Sequence, residues 1–225
     1  MLTIAAKQLG QLAMPDACHR CFWLQRHAAK LLPFQHFPGV FGTLDRLSKD
    51  AIYARMAKGA VPWLETYGRI EGHLKPPHWS KFGFTHGNLH VRGEADMILT
   101  LEAGGLYIPD LKTASLTDKQ DELLPIYATQ LNSYAMAAEA TGMGKVKHIA
   151  VLYCQPEVAD VYIGGYHMTS VVHVVEVNRD DNAIIALCDR AYDILTSPLP
   201  APTPSCEDCT KLAGLQSILA SGAVP

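Results

Sequence analysis

The stretch Gly93-Glu94-Ala95-Asp96-Met97-Ile98-Leu99-Thr100-Leu101-Glu102-Ala103-Gly104-Gly105-Leu106-Tyr107-Ile108-Pro109-Asp110-Leu111-Lys112-Thr113 reads as a β-hairpin. A first strand is expected from His90 to Leu101, a turn at Glu102-Ala103-Gly104-Gly105, and a returning strand from Leu106 to Thr113. Ile98, Ile108 and Leu111 mark both strands as buried, and charges in such strands are costly unless they are paired or bound to a metal. Strand alternation places Asp110 and Lys112 on one face, with Leu111 turned into the core. Asp96 and Asp110, fourteen positions apart, are then expected on adjacent strands.

Downstream, residues 121–141 have the pattern of a helix, with Pro125 tolerated in its first turns and Gly142 ending it. Gln130 and Tyr134, four apart, share one face of that helix. Val146–Cys154 reads as a buried strand, Val158–Ile163 and Val171–Val177 as further strands, and Asp180 to Leu195 as a helix. Upstream, residues 16–32 suit a helix with Asp16 as N-cap, ended by Pro33 and the Pro38-Gly39 turn. A second helix is expected from Thr43 to Lys58, with Leu44, Leu47, Ile52 and Met56 as its apolar side. Residues 60–90 read as irregular; Trp79, Phe82 and Phe84 there either stack on bases or plug the loop onto the core.

Each end of the chain carries a Cys-x-x-Cys pair, Cys18/Cys21 and Cys206/Cys209, the second reached through the extended run Pro198-Leu199-Pro200-Ala201-Pro202-Thr203-Pro204. Such pairs point to a metal or redox centre in a reducing compartment, and four thiolates suit either zinc or an iron–sulfur cluster. A plain packing role for Cys21 stays open, while Cys154 and Cys188 fit the core.

The 225 residues fit a single domain: a basic helical lobe at 1–60, a core at 90–195, and a Pro-rich linker with its cysteine tail at 198–225. An apolar fraction of 48% supplies ample core, and the sequence shows neither a membrane-spanning run nor a secretory signal pattern, so a cytoplasmic protein is expected. The net charge of −3 is split unevenly, +5 over residues 1–60 and −8 over the remainder. The basic lobe, with Arg20, Arg26 and Lys30, is the expected nucleic-acid face, a solvated helix surface being the alternative.

Phosphodiester hydrolysis requires an activated water and stabilisation of charge on the phosphate oxygens, and a divalent cation supplies both. Asp96 and Asp110 are the expected ligands for Mg²⁺ or Mn²⁺, with the Leu111 carbonyl as a further one and Lys112 beside the ion to orient water or neutralise the phosphate. Gly93-x-x-Asp96, Asp110-x-Lys112-Thr113 and Gln130-x-x-x-Tyr134 resemble motifs of the PD-(D/E)XK nuclease superfamily, in particular its RecB-like branch, which includes the CRISPR-associated RecB-like exonucleases. Cys18-His19-Arg20-Cys21-Phe22-Trp23-Leu24 and Pro204-Ser205-Cys206-Glu207-Asp208-Cys209 resemble the terminal cysteine segments of that branch.

The resemblance spans nearly the whole chain. It implies an α/β fold with a restriction-endonuclease-like core: a central mixed sheet flanked by helices, with the terminal cysteine segments brought together. It also implies Asp96, Asp110, Lys112, Gln130 and Tyr134 as catalytic residues, Mg²⁺ or Mn²⁺ as cofactor, DNA as substrate, and a four-iron four-sulfur cluster, with zinc as the alternative. DNA-processing or CRISPR adaptation proteins follow as partners. Where the family often has a metal-binding histidine the chain reads Gly42-Thr43-Leu44-Asp45-Arg46-Leu47, so Asp45 either ligates the ion or pairs with Lys49 one helical turn on. The cysteines are arranged two and two rather than in the common one and three. The expected activity is a metal-dependent DNA nuclease acting on ends or single strands. A non-catalytic nucleic-acid-binding or assembly protein on the same fold is the alternative, and a zinc-clasped scaffold a third reading.

Overall fold

Residues of β6, Leu106–Lys112, and β7, Val146–Tyr162, alternate between two apolar layers, which fixes the architecture. Ile108, Ile149, Val151 and Tyr153 face one core; Tyr107, Leu111, Ala150, Leu152 and Cys154 face the other. A strand buried on both faces needs cover on both sides, and helices provide it.

The computed structural model describes residues 1–29, 39–114 and 122–222. Its elements run β1 (Leu2–Ala5), α1 (Ala6–Gly10), a 3-10 turn (Gln11–Ala13), α2 (His19–His27), α3 (Gly39–Met56), β2 (Ile70–Leu74), β3 (Gly83–His86), β4 (Leu89–Arg92) and β5 (Ile98–Leu101). Then follow β6, α4 (Leu124–Ala140), β7, β8 (Gly165–Glu176), α5 (Asp181–Thr196) and α6 (Glu207–Ser221). A five-stranded mixed sheet has the order β2-β5-β6-β7-β8, and a three-stranded one the order β1-β4-β3. In the larger sheet β6 and β7 are parallel, with α4 as their crossover, and the other pairings are antiparallel. α1, α4 and α5 cover one face; α3 and the loop around Val61 and Leu64 cover the other. This is an α/β fold with mixed sheets flanked by helices. No helix among the described residues is long and apolar enough to cross a membrane.

The crossover is pinned by a buried amide. Asn132 of α4 donates through Nδ2 to the Asn178 carbonyl at 3.1 Å and accepts the Asp180 N–H at 2.7 Å. Asp180 in turn caps α5 by accepting from the Ala183 N–H at 2.9 Å.

Several expectations need correction. α2 starts at His19 with Cys18 at its N-cap, not at Asp16; Lys30, Pro33 and Pro38 lie outside the described residues. α3 spans Gly39–Met56, and Leu47 is exposed rather than part of its apolar side. The segment read as irregular contains β2 and β3; its Gly- and His-rich composition hid strands that are half-exposed edges. Phe82 and Phe84 are buried and plug the core, while Trp79 is exposed. The expected strand from His90 to Leu101 is two strands in different sheets, broken at Gly93–Met97. Asp96 therefore sits at a bend just before β5, not on the strand itself. The expected strands Val146–Cys154 and Val158–Ile163 are one continuous β7, and helix α6 after the second cysteine pair was not expected.

Candidate active site and cysteine clasp

Two residues of β5 pair with β6, and beyond them β6 continues toward Lys112 without its antiparallel neighbour. The exposed edge is satisfied by a side chain: the Leu111 N–H donates to Asp96 Oδ2 at 2.8 Å. The Leu111 carbonyl leaves the strand along the same edge, toward the Asp96 side. Asp110 projects to the opposite layer and is 1% exposed. Its Oδ2 lies 2.5 Å from Lys112 Nζ, and its Oδ1 accepts from Gln130 Nε2 at 3.3 Å. Gln130 Nε2 also donates to Tyr134 Oη at 2.7 Å, and Lys112 Nζ donates to Gln130 Oε1 at 3.5 Å. Lys112 further sits over the Tyr127 ring, 4.9 Å from its centroid. The hairpin and α4 thus join Asp110, Lys112, Gln130 and Tyr134 in one contact set, with Asp96 next to it on the Leu111 N–H.

Burial pushes the Asp110 carboxyl up to about 6; the Lys112 ammonium opposes the rise and the Asp96 charge adds to it. Burial, with the Asp110 charge, also holds the Tyr134 hydroxyl well above its ordinary range.

A residue the sequence reading used only as a helix partner enters from the other layer. Lys49 Nζ lies 2.7 Å from Asp45 Oδ2 and 2.6 Å from Asp96 Oδ1. Asp45 thus makes the expected helix pair with Lys49. Tyr53, one turn further along α3, donates its hydroxyl to the Asp96 carbonyl at 3.4 Å. The i, i+4, i+8 spacing of Asp45, Lys49 and Tyr53 was the available signal; only a tertiary contact turns that stripe toward Asp96. Burial works against the Lys49 charge, but Asp96 and Asp45 outweigh it and hold its ammonium above the usual lysine range.

Gly93 makes room for Tyr134: a Cβ there would stand 2.2 Å from Tyr134 Cε1. Gly93→Ala is expected to displace the ring, break its contact with Gln130 and destabilise the fold by about 1–3 kcal/mol. Thermal denaturation checks this, and an unchanged variant would remove the packing role.

An open groove of about 350 Å³ reaches this centre past Lys7, Trp79, Arg92, Glu94, Gln130 and Tyr134. Arg92 lies over the Trp79 ring at 4.1 Å. Of the expected basic residues, Arg20 donates to the Pro200 carbonyl at 3.5 Å and Arg26 borders a small cavity with Ile4 and Gln8. Neither lines the groove, and Lys30 lies outside the described residues.

The four terminal cysteines converge, every Sγ within 4.8 Å of the others. Sγ–Sγ contacts are 3.5 Å for Cys21–Cys206 and 3.6 Å for both Cys18–Cys209 and Cys21–Cys209. Cys18 and Cys206 are the N-caps of α2 and α6, and Cys21 and Cys209 follow three positions later in each helix. Both pairs therefore lie in the positive field of a helix start, which favours thiolates. Burial opposes ionisation of Cys18, but hydrogen bonds with Thr203 and the Cys21 backbone outweigh it and bring that thiol down to about 6. Burial and the neighbouring thiols push Cys21 strongly up; burial with Cys18 and Cys206 brings Cys209 up to about 11, against an opposing hydrogen bond with Cys21. Four sulfurs this close ionise together only around a cation, so the set can hold a metal ion. Cys154 and Cys188 are buried core residues away from this set.

No protein-family model matches the chain, and the search of curated proteins finds no match. Among solved structures, the chain is similar to one described as the crystal structure of SSO0001, at 16% identity over 88% of this chain and 79% of that one, with a TM-score of 0.47.

Proposed function

We propose that the chain is a metal-dependent deoxyribonuclease of the PD-(D/E)XK superfamily, RecB-like branch, acting on DNA ends or single strands. The carrying observation is that Asp110, Lys112, Gln130 and Tyr134, from a strand and a helix separate in sequence, form one contact set, with Asp96 beside it on the Leu111 N–H. The donor set suits Mg²⁺ or Mn²⁺: two carboxylates and a strand-edge carbonyl are hard oxygen ligands. When bound, the ion supplies water activation and charge stabilisation at the scissile phosphate. Asp96 and Asp110 would hold it, aided by the Leu111 carbonyl. Lys112 is positioned by Asp110 and Gln130 to neutralise a phosphate oxygen, and Tyr134 fixes Gln130. At the clasp, a tetrahedral zinc site with Zn–S near 2.3 Å has sulfur separations of about 3.8 Å. The observed separations support a single ion such as zinc over a four-iron four-sulfur cluster, whose cysteines are spread over the corners of a cubane.

Incubating end-labelled DNA with the chain in Mn²⁺ or in EDTA tests this reading: cleavage confined to Mn²⁺ supports it, and intact DNA in both opposes it. One observation favours a second reading, a non-catalytic nucleic-acid-binding protein: both carboxylates already carry a lysine partner. Binding without cleavage is the outcome it requires.

The groove gives the path for DNA, with Lys7 and Arg92 on phosphates and Trp79 against a base. Reversing Lys7 and Arg92 together is expected to weaken single-strand binding and flatten its salt slope by about 1.4, at about 0.7 per lost phosphate contact. Reversing Arg20 and Arg26 is expected to change the slope less; the opposite ranking in a salt titration would move the DNA face to α2.

A further inference from the structure

The four oxygens of the two hairpin carboxylates all have protein partners. Asp96 Oδ2 accepts the Leu111 N–H and Oδ1 meets Lys49; Asp110 Oδ2 meets Lys112 and Oδ1 accepts from Gln130. A divalent ion at Asp96 Oδ1 must take the place of the Lys49 ammonium, because two cations on one oxygen repel strongly in a partly buried site. Lys49 has somewhere to go. Its ammonium is held equally closely by Asp45, whose side chain is 44% exposed against 15% for Asp96. Moving fully onto Asp45 requires only torsions of the flexible lysine stem. Lys112 lacks this option: among the described residues its one ion pair is with Asp110.

We infer that Lys49 is a displaceable counter-cation of the active site, and that Asp45 is the acceptor to which it withdraws when a divalent ion takes Asp96. This rests on the reading of Asp96 and Asp110 as ion ligands and deepens it, because it assigns Asp45 to the lysine rather than to the ion. The device keeps the carboxylates neutralised without an ion and sets how much free divalent cation the site needs. Removing the lysine tightens ion binding; removing its retreat weakens it.

The test is a Mn²⁺ titration of the full chain, with free Mn²⁺ read by electron paramagnetic resonance and each variant checked by thermal denaturation. Lys49→Met is expected to bind Mn²⁺ about tenfold tighter, from loss of a like charge beside the ion. Lys49→Gln serves as the second variant if the methionine protein does not fold. Asp45→Asn is expected to bind about tenfold more weakly, because Lys49 then stays on Asp96. The double variant Lys49→Met, Asp45→Asn is expected to match Lys49→Met alone. Adding Asp110→Asn is expected to abolish the binding in every background, which assigns it to the hairpin. Equal or weaker binding by both Lys49 variants overturns the inference and leaves the ion-ligand reading standing. A double variant much weaker than Lys49→Met makes Asp45 an ion ligand and overturns its retreat role. No Mn²⁺ bound by any protein, or binding insensitive to Asp110→Asn, overturns the ion-ligand reading and the inference together.

Discussion

Asp96→Ala or Asp110→Ala is expected to abolish Mn²⁺-dependent DNA cleavage while the protein remains folded. Each carboxylate supplies anionic ligand oxygens at the hairpin, where Gln130 and Tyr134 are neutral, Lys49 and Lys112 are cations, and the nearby Asp45 is held by Lys49. Lys112→Ala is expected to lower the rate by a hundredfold or more, about 3 kcal/mol in the barrier, as for loss of a principal electrostatic stabiliser. Stability separates these effects from misfolding. The Asp110 carboxyl is pushed up to about 6 by burial, above its ordinary value near 4. Between those values the folded chain binds more protons at this site than the unfolded chain, so its contribution to stability falls as pH rises through that window. Asp110→Asn is therefore expected to lack this decline between pH 4 and 6. Melting temperatures across that range, beside cleavage at neutral pH, check both statements. Undiminished cleavage by Asp110→Ala would remove the hairpin from the active site.

The hairpin was legible because its information is local: alternation, a Gly104-Gly105 turn and charges at fixed offsets. Both turn glycines adopt positive φ, 78° and 91°, which few other residues tolerate. The faces of Leu111 and Asp110 followed from period two alone. The place of Asp96 did not, because β4 and β5 form one strand-like stretch in sequence but join different sheets across the break at Gly93–Met97. Lys49 was visible as a helix partner of Asp45, yet its reach to Asp96 depends on how α3 docks on the sheet. The groove residues Lys7, Trp79 and Arg92 come from segments that only the small sheet assembles. Charge summed over residues 1–60 marks a basic lobe but not which side chains face the groove; Arg20 in α2 meets the linker carbonyl of Pro200.

Cys206→Ser is expected to release the bound ion and lower the melting temperature by roughly 10 °C. The clasp joins residues 185 to 191 positions apart, so its loss frees both ends of the chain. A loss of about 3–4 kcal/mol in a chain of this size corresponds to a fall of about 6–16 °C. Cys154→Ser, in the core and away from the cluster, is expected to leave metal content unchanged. Elemental analysis with thermal denaturation checks this; anaerobic protein that is colourless with one zinc per chain supports the single-ion reading, and a brown protein rich in iron opposes it. Full metal content in Cys206→Ser would exclude a shared four-thiolate site.

The central claim is that the hairpin carboxylates hold the catalytic cation. Anomalous diffraction from crystals soaked in Mn²⁺ tests it most directly. The predicted result is a manganese peak bridging Asp96 and Asp110, about 2.0–2.3 Å from a carboxylate oxygen of each, and lost in Asp110→Asn. A cleaving protein whose manganese peak lies elsewhere would contradict it.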